Sequence, residues 1–308
     1  MYSNVARSEK YKYRLLNFIR DVYGLDAISI ASAKRGFYGE TWRLDDAANK
    51  SYFIKVVYNA SHKAVYERSF PIVQHLCNHG IDFIGRIVKT KDNRLFTHFA
   101  GAAIGVFDWI DGENKETDET KIPEYQMLAK VYAVSGKELN IAVENFSYKN
   151  ADEFFEHWNA STDEQLLSLL EKNRAKLEHR AARLKHFAEL CKGSTDGFVI
   201  THGDAGGNFF ISGDKHFILD WDGAALAPPE RDAWVMCSKD WARNAFHDAL
   251  HQNGIAYTLR PERLAYYCYR FFFFYLNSFI DAGSSKDIIE EYIDGWINES
   301  FKYADGIQ

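Results

Sequence analysis

The spacing of apolar residues changes near Pro123, and this change constrains the fold more than any other feature of the sequence. Upstream of it, three short β-type runs lie at Ile28–Ala33, Thr41–Leu44 and Ser51–Tyr58. Parallel strands need a crossover of a dozen or more residues, so these closely spaced runs predict an antiparallel meander. Helical spacing dominates after Pro123. The sequence therefore predicts an α+β fold with a β-rich N-terminal part.

Two early helices are also predicted. Tyr11–Tyr23 has apolar residues at helical spacing, and Gly24 follows as a stop signal. His62–His79 has the same character but contains Pro71, so we expect this helix either to kink there or to start nearby with Ser69 as its cap. Further strands are predicted at Ile81–Lys89, Leu95–Phe99 and Ile104–Ile110, and further helices at Pro123–Leu139, Ala151–His157 and Asp163–Cys191.

Composition excludes several classes of protein. The 308 residues are 46% hydrophobic and 26% charged, which is typical of a globular protein. A formal net charge of −6 argues against a nucleic-acid partner, which would require a basic surface. The four cysteines form no C-x-x-C pair, the N-terminus lacks the apolar run of a signal peptide, and no apolar stretch is long enough to predict a membrane span. We therefore expect a cytoplasmic protein with reduced thiols.

Groups suited to catalysis are concentrated in the segment Val199–Asp222, VITHGDAGGNFFISGDKHFILDWD. A strand–loop–strand–strand arrangement would bring Asp204 and Asn208 close to Asp220 at the end of the last strand. Asparagine and aspartate oxygens suit Mg²⁺, which binds through a few such groups together with substrate phosphates. A separate aspartate would then orient and deprotonate an acceptor hydroxyl.

Two other interpretations of this segment are weaker. Polar residues around glycines often only shape loops, but here several of them recur around two short apolar runs. The sequence GDAGGN is also similar to the metal loops of phosphoesterases. Those enzymes need an early D-x-H motif, and the only one here, Asp214–His216, follows the GD motif.

The segment resembles the catalytic and metal loops of the aminoglycoside phosphotransferase and choline kinase family, relatives of the protein kinases. That family has H-G-D, then Asn, a β-hairpin and an Asp-led metal motif. Leu226–Asp232, LAPPERD, is similar to the spectinomycin phosphotransferase branch. The resemblance implies a two-lobed protein-kinase-like fold, with a nucleotide-binding lobe at 1–106, a hinge at 107–112 and a helical lobe carrying the acceptor pocket at 113–308.

The resemblance also implies roles for the residues of the segment. Asp204 would be the catalytic residue that accepts the proton of the acceptor hydroxyl, and Asn208 and Asp220 would hold Mg²⁺. Asp222 would contact a second metal ion or the acceptor. His202 is expected to brace the loop rather than to transfer protons.

In the N-terminal lobe, Lys55 of YFIKVV falls where the family places its phosphate-binding lysine, on the strand face that also carries Phe53 and Val57. Glu67 is the only acidic residue between Asp46 and Asp82, so by elimination it is the predicted partner of Lys55. The glycine loop and the hinge complete the predicted nucleotide site, through Gly36 and Gly39 over the phosphates and the backbone of Asp108 and Ile110 at the adenine.

The implied function is ATP-dependent transfer of the γ-phosphate to a hydroxyl of a small molecule, either aminoglycoside- or aminocyclitol-like or choline-like. Gly223, Ala224 and Ala225 stand directly after Asp222, and Tyr266–Tyr275 reads YYCYRFFFFY. So few acidic residues at these places argue against a polycationic antibiotic as the acceptor. The aromatic run Tyr266–Tyr275 predicts either a pocket for a quaternary amine or, more simply, a buried helix.

The catalytic loop departs from the family pattern by one residue, because Asn208 follows Asp204 by four positions where the family usually has five. We expect Gly206 or Gly207 to absorb the difference with a positive φ. The alternative is a kinase-like nucleotide-binding module without transferase activity.

Overall fold

The computed structural model describes residues 7–33, 39–295 and 298–307, which cluster into two compact units. The sheet unit contains the chain up to Ala142 together with His202–Ala225. The helical unit contains Val143–Thr201 and Leu226–Gln308. The lobe and hinge boundaries expected from the family resemblance stay a prediction.

The helices and strands follow one another in a fixed order along the chain. Up to residue 132 they are α1 Glu9–Tyr23, β1 Ala27–Ser32, β2 Glu40–Asp46, β3 Ser51–Val57, α2 Ala60–Asn78, β4 Ile87–Val88, β5 Thr97–Phe99, β6 Ala102–Asp108, β7 Glu113–Asn114 and α3 Asp118–Tyr132. The next are β8 Ala142–Val143, α4 Lys149–Ala160, α5 Glu164–Lys172, α6 Arg174–Cys191, β9 Val199–Thr201, β10 Phe209–Ser212 and β11 Lys215–Ile218. The last are β12 Ala225–Ala227, α7 Glu230–Ala233, α8 Asp240–Gln252, α9 Pro261–Asp281, α10 Lys286–Asp294 and α11 Asn298–Asp305.

The main sheet of the sheet unit has the strand order β1-β2-β3-β6-β4, with β5 also paired to β6. Its pairs are antiparallel, which confirms the predicted meander. Side chains alternate along β3, so that Ile54 and Val56 are buried with Leu15 and Ile19 of α1. Lys55 consequently lies on the opposite face of the sheet, as the sequence predicts.

The two early helices differ in how closely they follow the prediction. Helix α1 ends at Gly24, whose φ of 73° closes the helix in the left-handed region that glycine favours. Helix α2 begins at Ala60 and passes through Pro71, so the interpretation that it starts beside Ser69 is wrong. Phe70 and Ile72, which flank the proline, are both buried. Their packing offsets the backbone hydrogen bond that Pro71 cannot donate within the helix.

A second sheet of the sheet unit has the order β11-β10-β7. Strands β10 and β11 form an antiparallel hairpin in which Phe209 pairs with Ile218 and Ser212 with Lys215. Gly213 turns the hairpin with a φ of 57°. This hairpin, which the sequence predicts, lies between the catalytic loop and Asp220.

Helix α9 is the centre of the helical unit and packs against α6, α4 and α11. Its aromatic residues Tyr266, Tyr267 and Phe272 are fully buried, so this run forms a core helix. A third, three-stranded sheet has the order β8-β12-β9. Within the described ranges, none of the helices combines the length and apolar character that a membrane crossing requires.

Candidate active site

His202 anchors the loop 203–208, which is the predicted catalytic loop. Its side chain is buried, its Nε2 lies 2.8 Å from the Leu219 carbonyl oxygen, and its Nδ1 lies 3.1 Å from the Asp204 amide nitrogen. The amide must donate to Nδ1, so Nε2 carries the proton and donates to the carbonyl, and the ring is neutral. The ring also packs edge-on against Trp221, with 4.7 Å between centroids. These contacts fit the predicted bracing role of His202.

Asp204 and Asn208 are held together by the turn between them. Gly206–Asn208 forms a 3₁₀ turn, and the Asn208 Nδ2 donates to the Asp204 carbonyl oxygen at 2.8 Å and to its Oδ2 at 3.2 Å. Because Nδ2 makes both bonds, Oδ1 is the atom of Asn208 with which a cation would bind. Asp204 is exposed, yet desolvation by the surrounding protein raises the pKa of its carboxyl.

The shortened loop is accommodated without the positive φ expected at Gly206 or Gly207. The glycine with a left-handed backbone in the turn between His202 and Asn208 is Gly203, with a φ of 89°. A Cβ on Gly206 would lie 2.4 Å from the Lys121 Nζ and 2.5 Å from the Glu116 Oε1. The ends of two side chains thus occupy the space beside Gly206, and the expectation of a positive φ at Gly206 or Gly207 is wrong.

Lys55 lies between two carboxylates. Its Nζ is 2.5 Å from the Asp220 Oδ1 and 2.8 Å from the Asp222 Oδ2. Burial alone would lower the pKa of Lys55, but the charges of Asp222 and Asp220 outweigh it and leave this pKa above its ordinary value. The cation is therefore fully charged, and it is shared by two anions.

The two carboxylates respond differently to this environment. Burial acts to raise the pKa of Asp220, but the charge of Lys55 prevails and lowers it. Burial raises the pKa of Asp222, and Lys55 offsets only part of this rise. The Asp220 side chain is also the more exposed, at 48% against 31%. Asp220 is thus the ionised and accessible carboxylate, as a metal ligand should be.

Glu67 is not brought to Lys55. It is exposed on α2, and among the described residues the salt bridges of Lys55 are those to Asp220 and Asp222. The α2 residue that approaches this group is Ser69, which is 1% exposed and whose Oγ lies 3.4 Å from the Asp222 Oδ1. The assignment of Glu67 as the partner of Lys55 thus has no contact to support it.

The other residues of the predicted nucleotide site are Gly36, Gly39, Asp108 and Ile110. Gly36 lies outside the described residues. Gly39 precedes β2, and a Cβ there would lie 2.4 Å from the Val56 carbonyl oxygen, so close approach to β3 already requires glycine. The Asp108 amide donates to the Arg86 carbonyl oxygen, and the Asp108 carboxylate pairs with Lys50 at 2.8 Å. The Asp108 amide is therefore already engaged. Contact of adenine with the other backbone groups of Asp108 and with the backbone of Ile110, which follows β6, stays a prediction.

Residues that follow the expected hinge lie against the predicted catalytic loop. Asn114 on β7 donates from Nδ2 to the Gly207 carbonyl oxygen. The Lys121 Nζ pairs with the Glu116 Oε1 at 2.8 Å and with the Glu124 Oε2 at 3.0 Å. A helix-start signal was available at residues 117–119, Thr-Asp-Glu, and would have placed the start of α3 at Asp118 rather than Pro123.

Comparisons with known proteins bear on this arrangement. A family model described as "Phosphotransferase enzyme family" matches residues 29–269. No curated protein matches significantly.

Solved structures match over nearly the whole chain. A spectinomycin phosphotransferase in complex with ADP and spectinomycin superimposes with a TM-score of 0.77 at 18% identity, covering 96% of this chain and 97% of the other. A choline kinase from Streptococcus pneumoniae has a TM-score of 0.64 at 13% identity, with 97% and 100% covered. An amicoumacin kinase in complex with AMP-PNP and Ca²⁺ has a TM-score of 0.60 at 12% identity, with 97% and 96% covered. The shared fold confirms the predicted α+β, kinase-like class.

Proposed function

This chain belongs to the phosphotransferase enzyme family and is a small-molecule phosphotransferase, and we propose that it moves the γ-phosphate of ATP with Asp204 as its catalytic residue. The family resemblance of the sequence is thereby confirmed. The observation that carries the proposal is the grouping of Lys55, Asp220 and Asp222 in the same unit as the Asp204–Asn208 turn.

Asp204 is suited to receive a proton. Its carboxylate is exposed, and the Asn208 amide and the loop that His202 braces hold its backbone in place. In the proposed step it orients the acceptor hydroxyl and takes its proton as the oxygen attacks the γ-phosphorus of ATP, while the bond from that phosphorus to the bridging oxygen breaks and ADP leaves. Lys55 contributes positive charge to the phosphates, and alignment with charge neutralisation supplies most of the rate enhancement.

The donor set fits Mg²⁺. Among the described residues no group of three His, Cys, Asp or Glu side chains is placed to hold a metal ion unaided. Mg²⁺ commonly binds through one or two protein oxygens and relies on substrate phosphates for others. The Asp220 carboxylate and the Asn208 Oδ1 are such oxygens, and a bound ion would neutralise charge on the nucleotide phosphates.

We propose an acceptor with a hydroxyl group on an aminoglycoside-, aminocyclitol- or choline-like molecule. The support is that proteins of this fold include a spectinomycin phosphotransferase and a choline kinase. The fold is shared by enzymes that act on different acceptors and so does not distinguish these three classes. One experiment can compare them.

The test is release of ADP from ATP across a panel containing spectinomycin, kanamycin and choline, with and without Mg²⁺. We expect one class to stimulate Mg²⁺-dependent ADP release in proportion to phosphorylated product. Tight nucleotide binding without acceptor-dependent release in any class would instead favour a nucleotide-binding module.

A further inference from the structure

Lys55 is held by a carboxylate on the metal loop rather than by one on helix α2. Within the described part of the chain its salt bridges are those to Asp220 and Asp222, which lie on either side of the buried Trp221. If Asp220 serves Mg²⁺, as proposed above, Asp222 is the anion that remains for Lys55. The two aspartates then have different roles although they are neighbours in sequence.

Burial distinguishes the two aspartates further. The Asp222 side chain is less exposed than that of Asp220, and its second oxygen, Oδ1, accepts a hydrogen bond from the Ser69 hydroxyl. Both Asp222 oxygens therefore already have protein partners, one in Lys55 and one in Ser69. A carboxylate with both oxygens engaged in this way is better suited to positioning its neighbours than to binding a metal ion.

The phase of helix α2 explains why a serine stands at this place. Successive helical residues are separated by about 100° around the axis, so Tyr66, Ser69 and Phe70 share a face and Glu67 lies off it. Tyr66 is 2% exposed and Phe70 is fully buried, and their rings stack at 4.7 Å. Glu67 is exposed.

Packing fixes that phase. Gly105 on β6 is the register partner of Lys55 on β3, and a Cβ on Gly105 would lie 2.2 Å from the Phe70 ring. The missing side chain makes room for Phe70 beside Lys55. Helix α2 is thereby seated with Ser69, and not Glu67, toward the 3₁₀ turn Trp221–Gly223.

We propose that Asp222 is the residue that positions Lys55 for the nucleotide phosphates, and that Ser69 holds Asp222 in place. Both are positioning residues, since they act through the Lys55 ammonium. This inference rests on the proposed function, because it concerns how the same site meets its nucleotide.

The test is a double-mutant cycle on binding of AMP-PNP with Mg²⁺, measured by calorimetry for Lys55→Met, Asp222→Asn and the double variant. We expect each single variant to weaken binding about tenfold and the double variant to bind no more weakly than Lys55→Met, because the second change removes an interaction already lost. Additive losses would overturn the pairing.

Dependence on Mg²⁺ separates positioning from metal binding. We expect Asp222→Asn to leave the Mg²⁺ concentration at half-maximal AMP-PNP binding unchanged, whereas Asp220→Ala should raise it. A raised midpoint in Asp222→Asn would make it a metal ligand and sink the proposal. The exposed Asp82→Asn in the same unit is the matched control and should bind as wild type does.

Ser69→Ala and Glu67→Gln decide between the two candidate supports and do not depend on removing a buried charge. We expect Ser69→Ala to weaken binding about threefold in the wild type and not at all in Asp222→Asn. A loss for Glu67→Gln that disappears in Lys55→Met would return the role to Glu67. If the wild type itself binds no AMP-PNP, the proposed function fails as well, whereas additive losses in a wild type that binds normally overturn this pairing alone.

Discussion

In the helical unit the buried carboxylate of Glu230 is surrounded by donors, whereas in the sheet unit Asp220 and Asp222 share one cation. The Tyr257 hydroxyl lies 2.9 and 3.0 Å from the two carboxylate oxygens of Glu230. The Arg260 amide donates to the Glu230 Oε1 at 2.5 Å. Tyr257 in turn accepts from Arg263 at 2.8 Å. Both oxygens of the Glu230 carboxylate therefore accept hydrogen bonds from the protein.

The group around Lys55 is left with an excess of negative charge. Two carboxylates face a single ammonium, and both remain partly exposed. Burying unbalanced charge is costly, so such an arrangement is retained where a ligand completes it. The contrast teaches that the number of buried charges does not mark a functional site. A functional site is better indicated by a charge that the protein does not neutralise and that is partly exposed to solvent.

The largest expected effect concerns Asp204, which lies in the same unit as the group around Lys55. Asp204→Asn should keep AMP-PNP affinity within about threefold and slow phosphoryl transfer by roughly 10²–10⁴, because a positioned base contributes that much. The measurements are calorimetric binding and acceptor-dependent ADP release. Asp214→Asn, an exposed substitution in the β10–β11 turn, is the control. Turnover of Asp204→Asn near the wild-type rate would remove Asp204 from the mechanism.

The next largest effect concerns Glu230 and is a change in the free energy of unfolding with pH. Burial raises the pKa of Glu230 from an ordinary 4.5 to about 7. A carboxyl with a raised folded-state pKa binds its proton more tightly in the native state. Its contribution to stability is therefore complete below pH 4.5 and is lost as pH rises to about 7, which amounts to about 3 kcal/mol.

Glu230→Gln should abolish this dependence, since the amide oxygen can still accept from Tyr257 and Arg260. We expect the variant to match the wild type near pH 4.5 and to exceed its free energy of unfolding by up to about 3 kcal/mol above pH 7. Urea unfolding followed by tryptophan fluorescence at several pH values measures the difference. Parallel pH profiles for the two proteins would contradict the assignment.

A smaller effect sharpens the comparison within the sheet unit. Asp220→Ala should weaken binding of AMP-PNP with Mg²⁺ by about thirtyfold, because its proposed partner is the ion, and should change metal-free binding by only about threefold. Titrations with Mg²⁺ and with a chelator make the comparison. Equal losses in the two titrations would exclude Asp220 as a metal ligand.

Sequence alone identified those parts of the candidate site that depend on local pattern. Strand alternation gave the face of Lys55, and one contiguous segment supplied Asp204, Asn208 and Asp220. The partner of Lys55 was not predictable in this way. It depends on the phase of α2, which a glycine on another strand sets by admitting Phe70.

The support of the catalytic loop was missed for a similar reason. Glu116 and Lys121 follow the expected hinge in a polar stretch that resembles a linker, and nothing in their local pattern points to the loop. Pairing of β7 with β10 brings Asn114 to the loop, and the start of α3 at Asp118 brings Lys121. Both contacts join residues far apart in sequence, and only tertiary structure specifies them.

The smallest expected effect tests how closely the loop is fitted around Asp204. A Cβ on Gly207 would lie 3.0 Å from the Asp204 Oδ1, which is closer than an ordinary van der Waals contact. Gly207→Ala should therefore move the carboxylate and slow transfer about fivefold, since misplacing a catalytic group reduces rate without removing it. The melting temperature should stay within about 2 °C, because Gly207 is exposed and has no positive φ to lose. Gly85→Ala is the matched control in the same unit, where the added Cβ meets nothing closer than 3.7 Å. A Gly207→Ala enzyme as fast as Gly85→Ala would mean that the Asp204 carboxylate has room to move, and that its position is set by the acceptor rather than by the loop.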